Sequence, residues 1–128
     1  MMLKEKIDNE LTEKIIGCFY TVYNTLGYGF LERVYEKAMV RELTDNGILV
    51  EAQKPIKVYY KGDIVGDYFA DLFVEDKVII ELKSTVSILP EHEAQLFNYM
   101  RATDMPMGLL LNFGAKPMIK RKLWTKGR

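Results

Sequence analysis

The segment DLFVEDKVIIELK, from Asp71 to Lys83, predicts a β-hairpin whose second strand ends in charged residues. Its run Val78–Ile80 is apolar and β-branched, which is typical of a strand covered on both faces. Glu81 and Lys83 follow at once, and residues two apart on a strand share a face, so both side chains should lie together with Leu82 turned away. Charged groups near a core are costly unless they are paired or bound to a metal ion.

The register of this hairpin determines whether Asp71 joins the two charged residues, because cross-strand partners share a face. A two-residue loop would set Asp71 opposite Ile80, on the other side of the sheet. A three-residue loop, Glu75–Lys77, instead sets Asp71 directly opposite Glu81. We predict the second register, or a bulge with the same effect, and therefore a cluster of two carboxylates and one ammonium group.

Length and composition indicate an ordinary globular protein. The 128 residues are expected to form one domain over 1–128, with 48% hydrophobic and 28% charged residues. No apolar run approaches the roughly 20 residues that a membrane-spanning helix needs, so no membrane partner is expected. The N-terminus lacks the apolar core of a signal peptide, and we expect a cytoplasmic location. Cys18 is the only cysteine, which excludes an intrachain disulfide; its helical apolar surroundings predict a core position.

Charge gives weaker information. Eighteen basic and eighteen acidic residues balance, so the sequence does not predict a strong general attraction to nucleic acid. The last thirteen residues nevertheless contain six basic residues and no acidic one. A solvated, partly frayed terminus is the preferred interpretation of these residues, and a phosphate-contacting patch is the alternative: Lys116, Lys120, Arg121, Lys122, Lys126 and Arg128.

The hydrophobic periodicity predicts the element order α-α-β-β-β-α-β-β, that is, a mixed α/β architecture with a mixed central sheet flanked by helices. The first three strands should form an antiparallel meander, with a break at Pro55 in the first of them. Gly27, Asn46-Gly47 and Pro106 mark helix ends, and Pro90 a helix start. The predicted helices are Asn9–Leu26, Leu31–Asp45 and Glu91–Thr103, and the predicted strands are Ile48–Tyr60, Ile64–Val74, Val78–Lys83, Met107–Phe113 and Met118–Trp124.

Several short motifs together carry a family resemblance. Residues 29–35, GFLERVY, have the pattern G-x-x-E-x-x-Y. They are followed by GDYFAD at 66–71, ELK at 81–83, QLFNY at 95–99 and LLLNFG at 109–114. With this ordered set the chain resembles the GxxExxY protein family, from about Asn9 to Arg121. That family belongs to the PD-(D/E)XK nuclease-like superfamily, so the resemblance implies a restriction-endonuclease-like fold. Ala70 stands where the superfamily name has a proline.

The resemblance also implies roles for individual residues. Asp71 and Glu81 would bind a divalent metal ion, Mg²⁺ or Mn²⁺, together with the backbone carbonyl of Leu82. Lys83 would position the attacking water or stabilise charge on the phosphate in the transition state. Glu32 matches the family's helix glutamate, which would bind the metal directly or through water.

Three more residues follow from the same resemblance. Gln95 matches a glutamine that orients a ligand or the nucleophile, and Tyr35 and Tyr99 would support the site. His92, the only histidine, is not required by this chemistry and is expected to be an exposed residue.

Each assignment has a structural alternative. Glu81 and Lys83 would form a neutralising ion pair, and Asp71 would cap a turn. Glu32 would interact with the dipole at a helix start, and Gln95 would be a solvated helix residue.

The residues and the resemblance therefore predict a metal-dependent nuclease that hydrolyses phosphodiester bonds in nucleic acid, with DNA as the expected substrate. The main alternative is a non-catalytic module of the same fold that binds nucleic acid or protein. A structural protein with a buried ion-pair cluster is a third reading. A homodimer is compatible with the small surface that one domain offers to a duplex.

Overall fold

The computed structural model describes the backbone of residues 2–125 and the side chains of residues 9–125. This part of the chain contains three helices and five strands in the predicted order. None of its helices is long and apolar enough to cross a bilayer. The elements are α1 (Met2–Leu26), α2 (Glu32–Asp45), β1 (Val50–Tyr60), β2 (Asp63–Val74), β3 (Val78–Lys83), α3 (Pro90–Thr103), β4 (Met107–Phe113) and β5 (Pro117–Leu123).

The five strands form one mixed sheet in the order β1-β2-β3-β4-β5. Strands β1 to β3 form the predicted antiparallel meander, and β5 is antiparallel to β4. Strands β3 and β4 are parallel, because α3 carries the chain back across the sheet between them. The sheet is thus closed over by helices on both faces, as the apolar run in β3 predicted.

The two faces of the sheet have separate cores. Helices α1 and α2 pack on one face, where Phe19 and Met39 meet Ile80. Helix α3 packs on the other face, where Leu96 and Met100 meet Ile79. The alternation of β3 explains the division, because Ile79 and Ile80 point to opposite faces. The predicted core position of Cys18 is confirmed, since it is 4% exposed in the first core.

The hairpin β2–β3 has the predicted register. Val74 pairs with Val78, which leaves the three-residue loop Glu75–Lys77. The first two loop residues have positive φ angles of 54° and 53°, the left-handed conformation that reverses the chain. The paired positions continue only to Leu72 opposite Ile80, and beyond that point the two strands separate.

The structure differs from the predicted break in β1 and contains the predicted C-terminal strand. Strand β1 continues through Pro55, which lies in register opposite Phe69. Proline is tolerated there because β1 is an edge strand and one of its sides needs no ladder partner. The predicted edge strand Met118–Trp124 is present as β5, Pro117–Leu123, so the preferred interpretation of a frayed terminus does not hold for Lys120, Arg121 and Lys122. Within it Lys122 forms an ion pair with Glu93 at 2.7 Å, while Lys126 and Arg128 lie outside the described residues.

Candidate active site

The carboxylates of Asp71 and Glu81 lie at the fork where β2 and β3 separate. The backbone N–H of Asp71 donates a hydrogen bond to Glu81 Oε2 at 3.0 Å. The backbone N–H of Leu82 donates to Asp71 Oδ2 at 2.8 Å. Each of the two side chains therefore accepts a hydrogen bond from a backbone N–H group at the point where the pairing of β2 with β3 ends. Both carboxylates are held by the main chain, which fixes their positions more firmly than contacts to mobile side chains would.

Burial and mutual repulsion act on these carboxylates together. Glu81 is 7% exposed, and burial followed by the nearby charge of Asp71 raises its pKa to about 8. Burial also raises the pKa of Asp71, and the charges of Glu36 and Glu32 add to the effect. The hydrogen bond from Leu82 and the charge of Lys83 oppose the rise in the pKa of Asp71. The pair is therefore stabilised by a bound proton or by a cation between the two groups.

Lys83 lies close to the two carboxylates without contacting them. It is partly buried, and its charge lowers the pKa of both Asp71 and Glu81. Within the described part of the chain it forms no ion pair within 4.0 Å and no hydrogen bond. A direct neutralising pair between Glu81 and Lys83, one of the alternatives considered from the sequence, is therefore absent from these side chains. The ammonium group remains free to bind an anionic ligand.

Glu32 lies at the first position of α2 and lines a small cavity of about 290 Å³ with Asp71. Glu36, one helical turn later, lines the same cavity. Gln53 Nε2 donates to Glu36 Oε1 at 2.6 Å and lies 3.5 Å from Asp71 Oδ1. Sequence reasoning missed Glu36 and Gln53. The i, i+4 spacing of Glu32 and Glu36 places both on one helix face and would have identified Glu36.

Tyr35 lies on α2 beside Glu36 and is not one of the residues that line this cavity. Its side chain is fully buried, and its ring stacks on Phe113 with centroids 4.0 Å apart. The hydroxyl donates to the Gly27 carbonyl at 2.7 Å and accepts from the Phe30 N–H at 3.2 Å. These bonds fix the loop that enters α2, and with it the start of the helix that carries Glu32.

Gln95 and Tyr99 lie on α3, on the other side of the carboxylates. Gln95 Nε2 donates to the Tyr99 hydroxyl at 2.5 Å. Burial raises the pKa of Tyr99 and the charges of Glu81 and Asp71 add to the rise, while the hydrogen bond from Gln95 opposes it. Gln95 itself makes no described hydrogen bond to either carboxylate. His92 was expected to be exposed, but it is partly buried. Its Nδ1 accepts a hydrogen bond from the Leu89 N–H at 3.0 Å, at the start of α3.

The oxygen donors at the fork fit a hard divalent cation. Glu81 Oε1 accepts no hydrogen bond, and no deeply buried polar atom of the described residues lacks a partner, so this oxygen reaches solvent. No three His, Cys, Asp or Glu side chains of the described residues are close enough to form a complete metal site. Mg²⁺ commonly binds one or two carboxylates and keeps waters or substrate phosphates as its other ligands. The fork offers two carboxylates, Asp71 and Glu81, and leaves the remaining ligand positions to water or substrate.

Comparisons with known proteins agree with this geometry. A family model for the PD-(D/E)XK nuclease superfamily matches residues 9–122. The fold resembles the crystal structure of SSO0001, with a TM-score of 0.56, 17% identity and coverage of 73% of this chain and 50% of that one. It also resembles the alkaline exonuclease LHK-Exo from Laribacter hongkongensis, with a TM-score of 0.53, 16% identity and coverage of 71% and 55%.

These matches have a defined extent. The chain spans about half the length of each of the two solved structures. No curated protein sequence matches the chain. The mixed α/β, restriction-endonuclease-like fold predicted from the sequence is confirmed.

Proposed function

The chain belongs to the PD-(D/E)XK nuclease superfamily, and from this premise we propose that it is a metal-dependent nuclease that hydrolyses phosphodiester bonds. The observation that carries the proposal is the pair of main-chain-bound carboxylates, Asp71 and Glu81, at the fork between β2 and β3. Two acidic groups with raised pKa values and a free ammonium group beside them suit a site that binds a cation and a phosphate together.

Each residue has a role in this proposal. Asp71, Glu81 and the carbonyl of Leu82 would hold the cation, Mg²⁺ or Mn²⁺, and Glu32 would reach it through a water molecule. When bound, such an ion polarises the phosphate and lowers the pKa of a water molecule. Lys83 donates to a phosphate oxygen and stabilises the charge that develops there.

Residues outside the cavity act by positioning. Tyr35 fixes the entry to α2 and so sets the position of Glu32. Gln95 orients Tyr99 through their hydrogen bond, and Tyr99 packs against Tyr68 of β2. Both residues act through others and do not contact the reacting atoms.

The finer assignments belong to the same proposal. Membership of the GxxExxY group is supported by Glu32, which lines the small cavity, and by Tyr35, which holds the loop before α2. DNA is the proposed substrate, the cytoplasm the proposed location and a homodimer a compatible assembly.

A non-catalytic module is the second candidate. It is favoured by one observation: the carboxylates accept backbone hydrogen bonds, and among residues 9–125 no third acidic side chain is close enough to complete a metal site. Such a module would bind nucleic acid in a salt-dependent way without metal-dependent cleavage.

Calorimetric titration of Mg²⁺ and Mn²⁺ tests the proposal, with nucleic acid both absent and present, alongside a cleavage assay on DNA and RNA. Glu81→Gln keeps a carbonyl oxygen that accepts from the Asp71 N–H but removes the charge. We expect metal binding and metal-dependent cleavage in the wild type and loss of both in this variant. Glu13→Gln, at an exposed glutamate on α1, is the matched control and should behave as the wild type.

The results separate the two candidates. Binding of nucleic acid without cleavage under any metal condition would support the module. Failure of the wild type to bind metal, even with nucleic acid present, would refute the nuclease.

A further inference from the structure

A second, larger cavity lies on the α3 face of the sheet. Its volume is about 950 Å³, at the upper end of the roughly 300–1,000 Å³ usual for small-molecule sites. Helix α3 forms one wall, and the β1–β2 hairpin forms another through Val58 and Tyr68. Trp124, which follows β5, lines it as well. We call this cavity the α3 groove.

The sequence of α3 creates the groove. Five residues with the spacing of one helix face line the groove: Ala94, Gln95, Asn98, Arg101 and Ala102. The two alanines are too short to reach the hairpin opposite, so space remains between the helix and the strands. The longer polar side chains of Gln95, Asn98 and Arg101 line the same space.

Aromatic rings and amide groups face this space. Tyr68 is 46% exposed and its ring lies against that of Tyr99, with centroids 5.6 Å apart at 44°. Trp124 adds a third ring. The Asn98 amide makes no hydrogen bond to any described residue, which leaves its donor and acceptor available. Aromatic faces beside a free amide are the groups that proteins use to stack on a nucleobase and bond to its edge.

The charge of the groove favours a base over a phosphate. Arg101 is the one basic side chain lining it in the described part of the chain, and Glu91 and Asp104 are two acidic ones. Phosphate groups would meet a small net negative charge there. A neutral heteroaromatic ring meets no such penalty.

The groove connects to the candidate active site through Tyr99. This residue lines the groove, and its ring packs against that of Tyr68, which lies three residues before Asp71 on β2. A strand whose phosphate lies at the fork would therefore have a neighbouring nucleotide within reach of the groove.

We infer that the α3 groove binds an unpaired base of the nucleic-acid strand, stacked on Tyr68 or Trp124 and bonded through its edge to Asn98. This inference rests on the proposed function, which identifies the ligand as nucleic acid. It extends the proposed function by assigning to α3 a site that recognises single-stranded or locally unpaired substrate.

Trp124 is the only tryptophan of the chain, so its fluorescence reports directly on the groove. The full chain is titrated, in the presence of a metal chelator, with a short single-stranded DNA oligonucleotide. An abasic strand of the same length and charge is the matched ligand. We expect saturable quenching by the normal strand and none by the abasic strand.

Variants locate the site. Tyr68→Leu should weaken binding about tenfold, as expected when a base loses its stacking partner. Asn98→Ala, at an exposed helix position that does not endanger folding, should also weaken it and change the preference among homopolymer strands. Tyr59→Leu, at an exposed tyrosine of β1 outside the groove, should leave the affinity unchanged.

Equal quenching by the abasic strand, or no quenching by either strand, would overturn the inference. Metal is absent from this titration, so the result is independent of cleavage. A protein that cleaves DNA but responds equally to both strands would keep the proposed function and lose the groove assignment.

Discussion

At the scale of single residues, Glu81 combines burial with a like-charged neighbour. Its raised pKa, about 8, means that the folded protein holds a proton that the unfolded chain, with an ordinary glutamate, releases at lower pH. The folded state therefore loses stability as the pH rises from about 4.5 towards 8. The raised pKa of Asp71 acts in the same direction.

We predict that the metal-free protein melts several degrees lower at pH 8 than at pH 5, as measured by differential scanning calorimetry with a chelator present. Glu81→Gln should flatten this dependence, because it removes the group that titrates. Glu13→Gln should keep it, and an unchanged profile in the Glu81 variant would show that the raised pKa does not govern stability.

Lys83 is the second residue whose role can be isolated. The Lys83→Met variant keeps the aliphatic stem and removes the charge, and no described ion pair is broken. We expect cleavage to fall roughly 100-fold or more, as for the loss of one group that stabilises transition-state charge. Metal affinity, measured by calorimetry, should be kept or raised, since a positive charge near the site is gone. A loss of metal binding equal to the loss of cleavage would contradict this division of roles.

At the scale of elements, the entry to α2 depends on one hydroxyl group. Tyr35→Phe removes the partner of the Gly27 carbonyl and of the Phe30 N–H. We expect a loss of about 1–3 kcal/mol in the free energy of unfolding, measured by urea denaturation, since partly buried backbone groups lose their bonds. Metal affinity should also fall, because Glu32 begins the helix that this loop leads into.

Tyr20→Phe serves as the control for that experiment. Tyr20 is 40% exposed, and its hydroxyl makes no described hydrogen bond. Its variant should unfold as the wild type does. If both variants lost the same stability, the Tyr35 hydroxyl would have no special role in holding the loop.

The sequence predicted those parts of the site that follow from strand period and loop length. The predicted three-residue loop after Val74 is present, and Asp71 and Glu81 meet just beyond the last paired residues, as that register requires. The contribution of Gln53 could not be derived, since it depends on a positive φ of 55° within β1, which a glutamine gives no reason to expect. Gln95 was placed on the correct helix. Its bond to Tyr99 depends on a side-chain rotamer that helical spacing permits but does not require.

At the scale of the whole molecule, the sheet joins both cores, because β3 contributes Ile79 to one and Ile80 to the other. We predict that the chain unfolds in a single cooperative transition, as one domain of this size should. Far-ultraviolet circular dichroism follows the helices, and Trp124 fluorescence follows the α3 side. Coincident urea midpoints are expected from the two probes, and two separate transitions would refute the one-domain prediction.

The short ladder between β2 and β3 has a mechanical consequence. Strand β2 has twelve residues but pairs with β3 only at Leu72–Val74, so the outer part of the β1–β2 hairpin extends past the rest of the sheet. On the β3 side that arm has no strand partner among the described residues, and it packs instead against α3, where Ile56 and Ala70 join the core of that helix. A strand lying in the α3 groove would press on this arm through Tyr68. Because Asp71 lies at the base of this arm, a displacement of the arm would also shift one of the two carboxylates.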